Sequence, residues 1–130
     1  MANPVRGIHH VAIHAVDFDR TVAFYKEAFG FTHDMCWGET GNRAALLHTG
    51  GGSRIEVFEN GSADAPEGAW CHLARDVTDC DAVYNAAIAA GCKTQMEPTS
   101  LTISGDQDRP VRIAFVKGFN GEVFEFFQTM

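Results

Sequence analysis

The chain has 130 residues, 45% of them hydrophobic and 21% charged, ordinary values for a soluble globular domain with a core of its own. A net charge of −7 and a pI near 5.2 remove the electrostatic drive toward nucleic acid or an anionic membrane surface, although a small anionic substrate needs only a local cation. No run approaches the roughly 20 apolar residues of a membrane span. The opening MANPVRGIHH lacks an apolar signal core, so a cytoplasmic location is expected.

Residues 7–15 alternate. Val11, Ile13 and Ala15 fall on one face, and His10, Ala12 and His14 on the other, as a strand requires. Asp17 or Asp19 is placed to cap the helix that follows, because a short carboxylate accepts hydrogen bonds from free first-turn amides. Phe18, Val22, Tyr25 and Phe29 recur at helical spacing as its buried stripe, and Gly30 supplies a left-handed stop. Short strands are expected at about 31–38, 43–49 and 53–59, separated by glycine-rich turns. The polar stretch at 60–69 reads as a linker.

The order then repeats. In the first copy His10 precedes Asp17 and Asp19; in the second, at the same spacing, His72 precedes Asp79 and Asp81. A strand is expected near 69–75, then a helix near 81–90 with Val83, Ala87 and Ala90 inward and Gly91 at its end. Strands follow near 92–97, 111–117 and 122–128, with 104–110 a turn-rich insertion. An internal repeat fixes architecture before any other signal. The fold class expected is α+β, with two βαβββ modules at about 7–60 and about 69–128 in one domain spanning 1–130. Neither half alone buries both its sheet face and its helix, so the halves are expected to pack together.

The repeat reaches the last strand of each module. Ile55-Glu56-Val57-Phe58 matches Phe124-Glu125-Phe126-Phe127, with a carboxylate inside each apolar strand. With Ile55 and Val57 facing the helix, Glu56 faces away from it; the same parity sets Glu125 beside Val123 and Phe127. His10 and His72 also oppose the helix-packing faces of their strands. A carboxylate among aromatics is costly unless something pairs with it. Two imidazoles and two carboxylates are a natural donor set for Zn²⁺, Ni²⁺, Co²⁺, Mn²⁺ or Fe²⁺. Against this, a one-sided antiparallel sheet shows polar residues on its wet face, and a single strand glutamate is more often solvated than ligating. Four such residues at equivalent places in two repeats favour one divalent ion per site. The cysteines, Cys36, Cys71, Cys80 and Cys92, form no C-x-x-C pair, so neither a zinc knuckle nor a redox dithiol is indicated.

The segments HHVAIHAVDFDRTVAFYKEAFGF and VRIAFVKGFNGEVFEFFQ resemble the vicinal oxygen chelate superfamily, the group of glyoxalase I, bleomycin-resistance proteins and ring-cleaving dioxygenases. The resemblance covers essentially the whole chain. It implies paired βαβββ modules whose sheets form a metal-binding cup, commonly completed by a homodimer, with His10, Glu56, His72 and Glu125 as metal ligands. The full set resembles glyoxalase I more than the dioxygenases, which have no ligand at the Glu56 position. It implies a small-molecule substrate and a lyase or isomerase activity like that of lactoylglutathione lyase. Proton transfer would run through a metal-stabilised enediolate on a thiohemiacetal or α-hydroxycarbonyl, with Glu56 or Glu125 as the catalytic base. Where glyoxalase I has a glutathione-binding arginine this chain has His14; Asn60 matches a glutathione-contacting asparagine. These two are the expected substrate-binding residues. The alternatives are a methylmalonyl-CoA epimerase-like enzyme, a ring-cleaving dioxygenase, or a metal-free drug- or metabolite-binding protein.

Overall fold

A computed structural model describes residues 3–62, 69–118 and 123–130. The expected linker falls mostly at 63–68, and the Phe29 side chain of the expected helix stripe is also outside the described residues. The elements run β1 (Val5–His14), α1 (Phe18–Phe29), β2 (Thr32–Trp37), β3 (Ala44–Gly50), β4 (Ser53–Phe58), β5 (Trp70–Val77), α2 (Cys80–Ala89), β6 (Lys93–Ser104), β7 (Asp108–Lys117) and β8 (Val123–Thr129). Two βαβββ modules in an α+β chain are therefore present, as the repeat predicts.

The chain forms two compact units. One comprises His10–Cys71 with Ser104–Gln107; the other comprises the stretch through His9 with His72–Ile103 and Asp108–Met130. In the first, strands lie in the order β2-β3-β4-β1, and in the second β5-β8-β7-β6. The first and last strands of each module pair in parallel, β1 with β4 and β5 with β8. A parallel pair needs a long crossover, which the helix and two intervening strands provide.

The two helices start alike. Asp17 accepts a hydrogen bond from the Arg20 amide at 3.0 Å, and Asp79 accepts one from the Ala82 amide at 3.0 Å. The second aspartate of each pair does something else. Asp19 takes the Arg43 guanidinium through both oxygens at 2.9 and 3.1 Å, and Asp81 takes Arg112 at 2.6 and 2.8 Å. The repeated Asp-x-Asp thus joins a cap to an ion pair that ties the helix start to the residue just before β3 in the first module and to β7 in the second. Gly30 ends α1 at φ 71°, a left-handed conformation that costs glycine little.

Each helix covers the apolar face of its own sheet. Phe18, Val22 and Tyr25 pack on Ile13, Ala15, Leu47, Ile55 and Val57. Val83, Tyr84, Ala87 and Ile88 pack on Val77, Ala114, Val116 and Phe126. Ala90, expected inward, is instead exposed as the cap residue beyond α2. The expected insertion at 104–110 is also corrected. β6 runs to Ser104 and β7 begins at Asp108, so only three residues turn between two long strands. The longer β6 follows from alternation in the stretch PTSLTIS, whose Leu101 and Ile103 pack with Met96 on Val111, Ile113 and Phe127. Pro98 is tolerated because β6 lies last in the strand order, at an edge.

Candidate functional site

Register explains how each module brings a histidine to a glutamate. In the parallel pair β1–β4, Glu56 stands opposite Ala12, two residues beyond His10 and hence on the same face. In β5–β8, Glu125 stands opposite Ala74, two residues beyond His72. The glutamate is thus the diagonal neighbour of the histidine in both copies, across a residue with the smallest side chain. Ala12 and Ala74 are fully buried.

His10 Nε2 lies 3.4 Å from Glu56 Oε1, with both side chains buried. His72 Nε2 lies 3.0 Å from Glu125 Oε2, again with both nearly closed to solvent. The walls are apolar. Leu46 faces Glu56 across β3. Phe115 faces Glu125 across β7 and meets the His72 ring edge-on, centroids 5.5 Å apart. A carboxylate so enclosed requires a positive or strongly hydrogen-bonding counterpart. A protonated imidazole supplies one. A cation shared by both side chains supplies another: with bonds of about 2.1 Å, two donors on one ion are about 3.0 Å apart in an octahedron and about 3.4 Å in a tetrahedron. The donor chemistry and the spacing within each pair therefore fit a borderline divalent ion.

The two expected substrate-binding residues are also neighbours. His14 Nδ1 and Asn60 Oδ1 are 3.3 Å apart, and the Asn60 amide donates to Asn42 Oδ1 at 3.3 Å. With that amide committed, Nδ1–H of His14 is the donor to Asn60. Asn60 adopts φ 81°, which asparagine tolerates better than other non-glycine residues. His14 is exposed and lies against the Phe58 ring.

Three arginines, Arg43, Arg54 and Arg112, are held by carboxylates. Arg43 joins Glu59 as well as Asp19, with a 2.7 Å bond from Nη2 to Glu59 Oε2. Arg54 holds Asp34 at 2.8 Å, and Arg112 holds Asp81. Hydrogen bonds from Arg43 hold the Glu59 carboxyl down at about 2, and Glu59 and Asp19 in turn push the Arg43 guanidinium up. These cations serve the fold and are not open clamps for a substrate anion. His9, adjacent to His10 in sequence, is buried and stacked on Phe127 with ring centroids 4.1 Å apart, a core histidine that strand parity separates from its neighbour.

Comparison with known proteins agrees with this architecture. The family model of the Glyoxalase/Bleomycin resistance protein/Dioxygenase superfamily matches residues 7–126. No curated protein sequence matches the chain. Among solved structures, methylmalonyl-CoA epimerase from Mycobacterium tuberculosis is similar with a TM-score of 0.77 at 22% identity, covering 100% of this chain and 92% of that one. A Streptomyces coelicolor methylmalonyl-CoA epimerase variant in complex with 2-nitronate-propionyl-CoA gives 0.72 at 23% identity, covering 95% and 97%. A hypothetical protein from Bacillus halodurans gives 0.73 at 19%, covering 95% and 94%. At these identities the likeness is one of fold. The family match over nearly the whole chain, on the repeated modules described above, places the protein in the glyoxalase/bleomycin resistance protein/dioxygenase superfamily.

Proposed function

We propose that the protein is a divalent-metal-dependent isomerase or lyase that moves a proton on the carbon beside a carbonyl group. The observation that carries the reading is the duplicated buried pair, His10 with Glu56 and His72 with Glu125, each set in an apolar strand. His10, Glu56, His72 and Glu125 form the ligand set for one ion of the Zn, Ni, Co, Mn or Fe class. When bound, the ion supplies Lewis acidity toward a carbonyl oxygen and offsets the negative charge that builds there as the adjacent proton leaves. Glu56 and Glu125 carry the proton, one removing it and the other returning it, and the apolar walls exclude water that would compete. His14 and Asn60 orient the remainder of the substrate by hydrogen bonding. The ligand set is completed within one chain or across a homodimer.

Two substrate classes suit this chemistry. A thiohemiacetal or α-hydroxycarbonyl gives a glyoxalase I-type lyase. An acyl-CoA thioester gives an epimerase, and the structural likeness to methylmalonyl-CoA epimerases supports testing that class as well. The experiment is elemental analysis of the purified protein, followed by NMR of α-proton exchange with deuterated water on methylmalonyl-CoA and of turnover of a methylglyoxal–glutathione thiohemiacetal. Bound divalent ion with exchange or turnover on one class is expected. Metal uptake with oxygen-dependent ring cleavage and no exchange would mark a dioxygenase, and protein that takes up no ion would mark a binding module. Co-expressing Glu56→Gln and Glu125→Gln chains locates the ligand set, because a mixed dimer regains one intact site only if each site draws a pair from each chain.

A further inference from the structure

A second cluster of metal-binding side chains lies at the outer edge of the first unit. His33 and Cys36 are three residues apart on β2, an odd separation that puts side chains on opposite faces of a regular strand. Here the pairing with β3 slips by one residue between His33 and Met35. The bulge at Asp34 resets the alternation, so His33 and Cys36 share a face. Asp34 itself turns to Arg54.

The turn between β6 and β7 supplies a third donor. Asp106 contacts His33 Nε2 through Oδ2, and its Oδ1 accepts from the Cys36 amide at 3.0 Å. Its own amide donates to the Cys36 carbonyl at 3.0 Å. The Gln107 side-chain amide donates to the carbonyl of the bulged Asp34 at 2.7 Å. Gly105 lies so close to the Cys36 carbonyl and the Trp37 side chain that a Cβ there has no room. Bulge and turn are thus fastened together at several points. One donor atom each from His33, Cys36 and Asp106 lies within 4.8 Å of the others. Cys36 and Asp106 also line a cavity of about 580 Å³, shared with Phe18, Trp37, Glu39 and Arg43.

We propose that His33, Cys36 and Asp106 form a second metal site, separate from the histidine–glutamate pairs and selective for Zn²⁺-like ions. Imidazole, thiolate and carboxylate together are a borderline-soft donor set that suits Zn²⁺ or Co²⁺ and disfavours Mg²⁺ or Ca²⁺. Three protein donors leave one tetrahedral position for water or a small ligand from the cavity. On binding, the Cys36 thiol gives its proton to solvent and Sγ bonds the ion.

Cobalt tests the proposal, because a thiolate on Co²⁺ gives a near-ultraviolet charge-transfer band that the histidine–glutamate pairs, having no sulfur, do not. Titration of the full chain with Co²⁺ is expected to raise this band to saturation, with Zn²⁺ displacing it. Cys36→Ser should abolish the band. Asp106→Asn should weaken Zn²⁺ competition at this site about tenfold or more, of the order seen when a metal site loses a supporting group. Gly105→Ala, which removes no donor, should also weaken it by lifting Asp106 from β2. Absence of the band in the wild-type chain, or a band that survives Cys36→Ser, overturns the proposal. Neither result depends on whether the proposed isomerase centre takes up metal.

Discussion

Ala12 and Ala74 are the cheapest places to ask whether each histidine–glutamate pair depends on the space between strands. Each alanine is fully buried and stands opposite its glutamate. Valine adds two methyl groups on the face where the carboxylate crosses to the histidine. Overpacking of this kind costs about 1–3 kcal/mol, while the greater strand preference of valine returns at most about 1 kcal/mol. A net loss of about 1–2 kcal/mol is expected for Ala12→Val. With a urea m-value of about 2 kcal/mol/M, the unfolding midpoint should fall by about 0.5–1 M at constant slope. The carboxylate must also move, so divalent-ion affinity should drop about tenfold. Ala74→Val should do the same through the second pair. The control is Ala86→Val on the exposed side of α2, which should cost only about 0.5 kcal/mol of helix propensity and leave metal content unchanged. The assays are urea denaturation followed by circular dichroism and elemental analysis after dialysis. Unchanged stability together with full metal content in Ala12→Val would refute the idea that alanine is the spacer that lets the pair form.

Three further outcomes follow from the geometry. Replacing the caps, Asp17→Ala or Asp79→Ala, should each cost about 1 kcal/mol in thermal or urea unfolding; a neutral result at either would mean its helix start does not depend on the cap. Glu59 has its folded value depressed from the ordinary 4.5 to about 2 by hydrogen bonds from Arg43, so its contribution to stability is full above about 4.5 and is lost as pH falls toward about 2. Acid titration of unfolding should show this loss in the wild-type chain and less of it in Glu59→Gln, and identical profiles would disprove the assignment. Cys80 is fully buried and burial pushes its thiol up to about 11; alkylation followed by mass spectrometry should label exposed Cys36 well before Cys80, and early labelling of Cys80 in the native state would contradict its place in the core.

Much of this protein was legible in its sequence because local rules carried the information. Period-2 and helical spacing depend only on backbone geometry, so β1 and α1 could be placed from residues 7–30 alone, and duplication extended the reading to the second module. The parity that turns Glu56 away from Ile55 and Val57 is equally local, and those two residues pack under the helix as that parity requires. Where alternation was weakly apolar, as along β6, the strand went short: Leu101 and Ile103 are its only large aliphatic residues past Met96, and its other side chains are mostly exposed on an edge. Other features arise between segments far apart in the chain. Which aspartate of each Asp-x-Asp caps the helix and which holds an arginine depends on where the approach to β3 brings Arg43 and where β7 brings Arg112. The alternation rule itself sets His33 and Cys36 on opposite faces of a strand, and no C-x-x-C spacing marks them. A one-residue slip against β3 reverses that rule, and a turn some 70 residues later adds Asp106. Strand register and turn docking are properties of paired segments, and a chain read one residue at a time carries them only after it has folded.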